Sequence, residues 1–165
     1  MSQTPEACPF CAIAVGTGPA SIIYEDDTLM AIIPLQPVYE GACLVIPRAH
    51  IDHFTDMPDD LSARVMVLAQ RLGRKIRQVY NPLRIGMIVH GFGVPHAHLH
   101  VLPQYDPLDI MHKHLAYVED GEVKFREKDL PEPTRAELDA FAARLEIEPR
   151  TRADLDQMAA MITLD

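Results

Sequence analysis

The sequence is short of positive charge, of cysteine and of long apolar runs, and each shortage closes off a class of protein. Lys and Arg number 15 against 24 Asp and Glu, a formal net charge of −9. Proteins that grip a phosphate backbone carry a basic patch or stripe instead, so no nucleic-acid partner is expected. A small phosphorylated substrate stays open, because a few local donors can hold one against an unfavourable overall field. No segment approaches the ~18–20 apolar residues that cross a bilayer, so no membrane partner is expected either. The opening Met1-Ser2-Gln3-Thr4-Pro5-Glu6 has neither the basic region nor the apolar stretch of a secretory signal, which predicts a soluble, cytoplasmic chain. In that compartment the three cysteines predict reduced thiols rather than a structural disulfide. Cys8 and Cys11 are then available as metal ligands or redox groups. Cys43, inside the apolar run 42–46, reads as a small buried side chain.

What is there suits an ordinary globular chain. At 165 residues, 48% hydrophobic and 24% charged, it is expected to form one domain over 1–165 with a core of its own. A short helix is expected over 8–16, closed by Gly16 and Gly18. Ser21–Glu25 and Thr28–Ile33 read as strands joined at Asp26-Asp27, and Ala42–Ile46, ending at Pro47, as a third. After Pro58, the residues Leu61, Val65, Leu68, Leu72, Ile76 and Val79 recur at three- and four-residue intervals, which predicts one long helix stopped at Asn81-Pro82. Two more strands are expected at Leu83–Val89 and His96–Leu102. Asp120-Gly121 would turn a small hairpin. Thr134 with Glu137, and Thr151 with Asp154, are candidate caps of two late helices. With no internal repeat, the pattern is α+β: an antiparallel sheet meander, one crossing helix and C-terminal helices.

The sharpest chemical signal is His96-Ala97-His98-Leu99-His100. On a strand, alternate side chains share a face, so three imidazoles would line one side while Ala97, Leu99 and Val101 meet a core. Chance exposure of three solvated histidines is the bland alternative. A three-histidine metal site fits poorly: the outer Cα atoms would lie about 13 Å apart at ~3.3 Å per residue. Zinc needs its nitrogens at about 2 Å, so one imidazole is left for other work. A neutral imidazole is a competent nucleophile towards phosphorus.

His96-Ala97-His98-Leu99-His100-Val101-Leu102 resembles the motif of the histidine-triad family. Cys8-Pro9-Phe10-Cys11, Tyr24-Glu25-Asp26-Asp27 and the segment from Gly41 through Ile46-Pro47-Arg48-Ala49-His50 fall in that family's order, so the likeness covers roughly 7–105. Residues 106–165 form an extension outside it. The resemblance implies an antiparallel sheet with flanking helices, a homodimer with a continuous sheet, and transfer or hydrolysis of nucleoside monophosphate groups. Expected substrates are nucleoside phosphoramidates, nucleotidyl conjugates or dinucleoside polyphosphates. It implies His98 as nucleophile, through a nucleotidyl-histidine, and His100 as a phosphate and leaving-group contact. In the zinc-bearing branch the ligands correspond to Cys8, Cys11, His50 and His96, a closed structural Zn2+ site; no organic cofactor is implied. Ile22, Ile23 and Ile33 are candidates for an apolar slot under the base, although core packing accounts for each taken singly.

The likeness is incomplete. Pro34 stands where the family commonly has an acidic ribose contact, Phe92 where a Gln is frequent, and the loop 90–95 is short. Proline offers no side-chain acceptor. Two other functions therefore stand beside the enzyme: a non-catalytic nucleotide- or protein-binding module, and a hydrolase whose zinc activates water. His53 is read as solvated, His112 and His114 as exposed loop residues; His90 has no assigned role.

Overall fold

The computed structural model describes residues 7–89, 91, 93–105 and 150–164, with the backbone alone of 116–119 and 122–125. Chain order is α1 (Pro9–Ala14), β1 (Ser21–Glu25), β2 (Leu29–Ile33), β3 (Cys43–Pro47), a 3₁₀ turn (Phe54–Asp56), α2 (Asp59–Tyr80), β4 (Arg84–Val89), β5 (Leu99–Gln104), β6 (Ala116–Glu119), β7 (Glu122–Phe125) and α3 (Arg152–Ile162). β6 and β7 form the hairpin expected at Asp120-Gly121. Phe92, His90, His112, His114 and the helix expected after Thr134 lie outside the described residues. Among the described residues no helix is long and apolar enough to cross a membrane.

The five-stranded sheet runs β1-β2-β3-β5-β4, and every neighbouring pair is antiparallel. It is a meander through β3. Then α2, 22 residues and so about 33 Å long, carries the chain across one face to the far edge, and β5 returns between β3 and β4. The apolar stripe drives this docking. Val65, Leu68, Leu72 and Ile76 are buried against Ala31, Ile33, Cys43, Val45, Leu99 and Val101, each large side chain contributing about 1.5–3 kcal/mol on burial. The helix ends where expected: Asn81 is left-handed at φ 47°, and its amide reaches the Arg77 carbonyl.

α3 closes the same face beyond β1. Thr151 and Asp154 form the expected reciprocal cap. Leu155, Met158 and Ile162 join the helix-side core, and the buried Ser21 hydroxyl donates to Asp156 at 2.6 Å. On the opposite face α1 packs Phe10 and Ala14 against Met30, Ile32, Leu44 and Ile46.

The β1–β2 turn is pinned by one carboxylate. Asp26 accepts from the amides of Thr28 and Leu29 at 2.8 and 2.9 Å and from the Tyr24 hydroxyl at 2.7 Å. Burial opposes its ionised form, but these bonds outweigh burial and hold its pKa well below the ordinary 3.8. A depressed carboxylate stabilises the fold above its unfolded pKa and ceases to do so as pH falls through that value and below. Asp26→Asn is therefore expected to be less stable than the native chain at neutral pH, with the difference shrinking below about pH 4; a constant difference across urea melts from pH 7 to 3 contradicts it.

Candidate active site and metal centre

Strand pairing settles which side chains share a face with the histidines. Reading across the sheet, Ile22 lies opposite Ile32, Ile32 opposite Leu44, Leu44 opposite His100, and His100 opposite Ile88. Directly opposed residues of antiparallel strands point to the same side, so His100 stands in an apolar row on the face that α1 partly covers. Ile23 and Ile33 do not join that row. They are 1% and 2% exposed in the core beneath α2 and α3, on the other side of the sheet. The cause is the two-residue alternation, which puts Ile23 on the side of Ser21 and Ile33; the register shift between Ile22 and Tyr24 then brings Tyr24 to that side as well. Ile22 and Ile32 stand instead on the histidine face, three and two strands from His100. Pro34, half-buried, follows directly after β2.

The histidine run is only partly a strand. Regular pairing begins at Leu99 rather than at the expected His96, although the burial alternation continues: Ala97, Leu99 and Val101 are buried, His98 and His100 half-buried. Residues 96–98 are held by irregular contacts instead. The Ala97 amide donates to the Ile51 carbonyl at 2.6 Å, and the His96 amide to that of Val94 at 2.8 Å.

His96 turns inward, 1% exposed, and joins Cys8, Cys11 and His50 in a group whose ligand atoms all lie within 4.8 Å of one another. Cys8 Sγ is 3.3 Å from His96 Nδ1, Cys11 Sγ 3.3 Å from His50 Nδ1, and Cys11 Sγ 3.7 Å from His96 Nδ1. A tetrahedral ion with Zn–S about 2.3 Å and Zn–N about 2.0–2.1 Å puts its ligands roughly 3.3–3.8 Å apart, so the spacing fits. The tautomer fits as well. His96 Nε2 lies 2.8 Å from the Pro47 carbonyl, which only accepts, so Nε2 carries the proton and Nδ1 offers its lone pair to the sulfur side. Burial lowers the His96 pKa, offset in part by the bond to Pro47, which favours the neutral, ligating ring.

His98 is oriented by the same logic. Its Nδ1 lies 2.7 Å from the His96 carbonyl; Nδ1–H donates there, so in the neutral ring Nε2 is the nitrogen that carries the lone pair. The His98 ring stands 5.1 Å from that of His100 and 5.2 Å from Phe10, centroid to centroid. A groove of about 370 Å³ reaches His98 beside the edge strand β4, lined by Phe54, Met57, Met66, Val89 and Ala97 among others. His53 is exposed, next to the 3₁₀ turn, and stays out of the cluster. Phe10 and the Pro47 carbonyl carry no catalytic signature in sequence. The available hint for Phe10 is its place between the two cysteines.

An α+β sheet with a Cys₂His₂ cluster and two neighbouring imidazoles defines a small histidine-centred protein whose N-terminal knuckle has the donors and spacing to hold a metal ion. The HIT domain family model matches residues 16–107, and the chain belongs to that family. It is 34% identical over 102 residues to the adenosine 5′-monophosphoramidase of Saccharomyces cerevisiae, covering 61% of this chain and 64% of that one. A Zn-bound histidine triad family protein from Mycobacterium smegmatis superposes with a TM-score of 0.58 at 28% identity, covering 87% of this chain and 98% of the other. A Hit-like protein from Bartonella henselae shares the fold, with a TM-score of 0.67 at 16% identity over 97% of each chain.

Proposed function

We propose that this protein is a nucleotide hydrolase or nucleotidyltransferase that cleaves nucleoside phosphoramidates or related nucleotidyl conjugates through His98, the whole of 1–165 acting as one unit. One observation carries the reading: the 2.7 Å bond from His98 Nδ1 to the His96 carbonyl, which leaves Nε2 as the nucleophilic atom beside His100. Nε2 attacks the α-phosphorus, a P–N bond forms, and the bond to the leaving group breaks. His100 donates a hydrogen bond to the phosphoryl oxygens as charge builds and assists protonation of the departing amine. Water, or another acceptor, then breaks the P–N bond and restores the ring. The base would rest on Ile22, the exposed member of the row that leads to His100.

Cys8, Cys11, His50 and His96 are proposed to hold a structural Zn2+. Four protein donors leave no open position for an activated water, which speaks against the zinc-hydrolase reading. A homodimer is proposed through β4: Met87 and Val89 on this edge strand are 48% and 43% exposed, and Met66 on α2 is 45% exposed. An unpaired apolar edge is a template for pairing with a second copy. Met87→Glu with Val89→Glu is expected to convert the dimer to an 18.5 kDa monomer by light scattering. A native protein already monomeric at tens of micromolar contradicts the dimer.

The experiment for the chemistry is a rapid quench of the protein with adenosine 5′-phosphoramidate, followed by intact mass. A nucleotidyl adduct on the native chain supports the reading. Binding without adduct or turnover across a nucleotide panel supports instead a non-catalytic module, which the missing acceptor at Pro34 favours.

A further inference from the structure

We infer that Phe10 is a positioning residue for the His98 imidazole, and that through it and the His96 carbonyl the cysteine knuckle holds the nucleophile in one tautomer and orientation. The inference rests on His98 as nucleophile. Phe10 lies between Cys8 and Cys11, so fixing the two sulfurs fixes the backbone that bears the ring. That ring is 8% exposed and meets two histidines edge-on: His96 at 5.7 Å and 82°, His98 at 5.2 Å and 67°. Both separations lie in the range of favourable aromatic contact, about 4.5–7 Å. One phenyl group thus abuts a cluster ligand and the reacting ring together.

The second link is the backbone. The carbonyl that accepts from His98 Nδ1 belongs to His96, whose side chain is in the cluster. The next amide, that of Ala97, is bonded to Ile51, the neighbour of His50. Segments 8–11, 50–51 and 96–98 therefore converge on the acceptor that sets the His98 tautomer. With the cluster closed, that carbonyl is held still and Phe10 blocks rotation of the ring. With the cluster open, 96–98 lose an anchor that no regular strand pairing replaces, since β5 begins at Leu99.

The test uses the full-length chain, zinc-loaded, and reads His98 first without substrate, by long-range 1H–15N imidazole spectra at one fixed pH. The native protein is expected to show a single Nδ1–H tautomer for His98. Phe10→Ala is expected to broaden or mix it, Phe10→Leu, which keeps most of the bulk, to restore much of it, and chelation of the native protein to reproduce the Phe10→Ala spectrum. Chelating Phe10→Ala should then add little, because both changes break one linkage. In turnover, Phe10→Ala is expected to lower kcat about 10–100-fold with KM changed less than about twofold, the signature of misplaced reacting atoms. An unchanged His98 spectrum in Phe10→Ala and in the chelated protein overturns the inference, as does a raised KM at constant kcat, which would make Phe10 a substrate contact. The spectra need no turnover, so a protein that forms no adduct still decides the point.

Discussion

Replacing His98 by alanine is expected to lower kcat/KM roughly 10⁴- to 10⁶-fold, the scale seen when a covalent nucleophile is removed. The fold should survive: the side chain is half-buried and outside both core clusters. Metal content and melting temperature should change little, since His98 is not in the four-residue cluster. His100→Ala should cost less, about 10²–10³-fold, because it removes a donor to the phosphoryl group and leaves the attacking atom. The comparison separates the two roles that alternation alone assigns equally. Native-like turnover in a folded His98→Ala protein, measured on the phosphoramidate with contamination excluded by tagged purification, would sink the assignment of the nucleophile.

The second large effect belongs to the cluster. Stripping the metal, or replacing Cys8 and Cys11 together by alanine, is expected to lower the melting temperature by roughly 8–16 °C. Free zinc at about a thousand times its Kd stabilises by about 4 kcal/mol, and in a chain of this size 1 kcal/mol shifts Tm by about 2–4 °C. The protein should nevertheless remain folded at room temperature, because the helix-side core of Leu72, Ile76, Val45 and Val101 does not touch the cluster residues' side of the sheet. Calorimetry with and without chelator, alongside elemental analysis, reads both numbers. Stoichiometric zinc in the double cysteine variant, or an unchanged Tm on complete removal, rules out the proposed ligands.

Much of this architecture is legible in the residues. The stripe from Leu61 to Val79 gave α2 and its buried face, and Ser21–Glu25 is a strand at the bounds read from its aliphatic run. Thr151 and Asp154 announced the α3 cap. These are local signals, each contained within a few turns or one strand. Two features are not local. The start of β5 slips from His96 to Leu99 because His96 is drawn towards Cys8, 88 positions away in sequence, and periodicity carries no record of such a partner. The face of the apolar slot is the other. Alternation says that Ile22 and Ile23 point to opposite sides, but not which side receives α2; that depends on a handedness of crossing that no single strand encodes. Phe10 was unreadable for a third reason: an aromatic between two cysteines looks the same whether it fills a core or braces a neighbour.

The docking of α3 bears on how the chain is made. The helix-side faces of β1 and β2 are closed by α3, and Ser21 finds Asp156 across 135 positions of sequence. At about 5–20 residues per second, a ribosome needs roughly 7–27 s to travel that distance. For that interval Ile23 and Ile33, among the most thoroughly enclosed side chains of the finished protein, have no lid from α3. The nascent sheet therefore presents a sticky flank for seconds while synthesis continues, a natural window for a holding chaperone. A stall placed between β5 and α3 should prolong that window and raise the fraction of chains lost to aggregation.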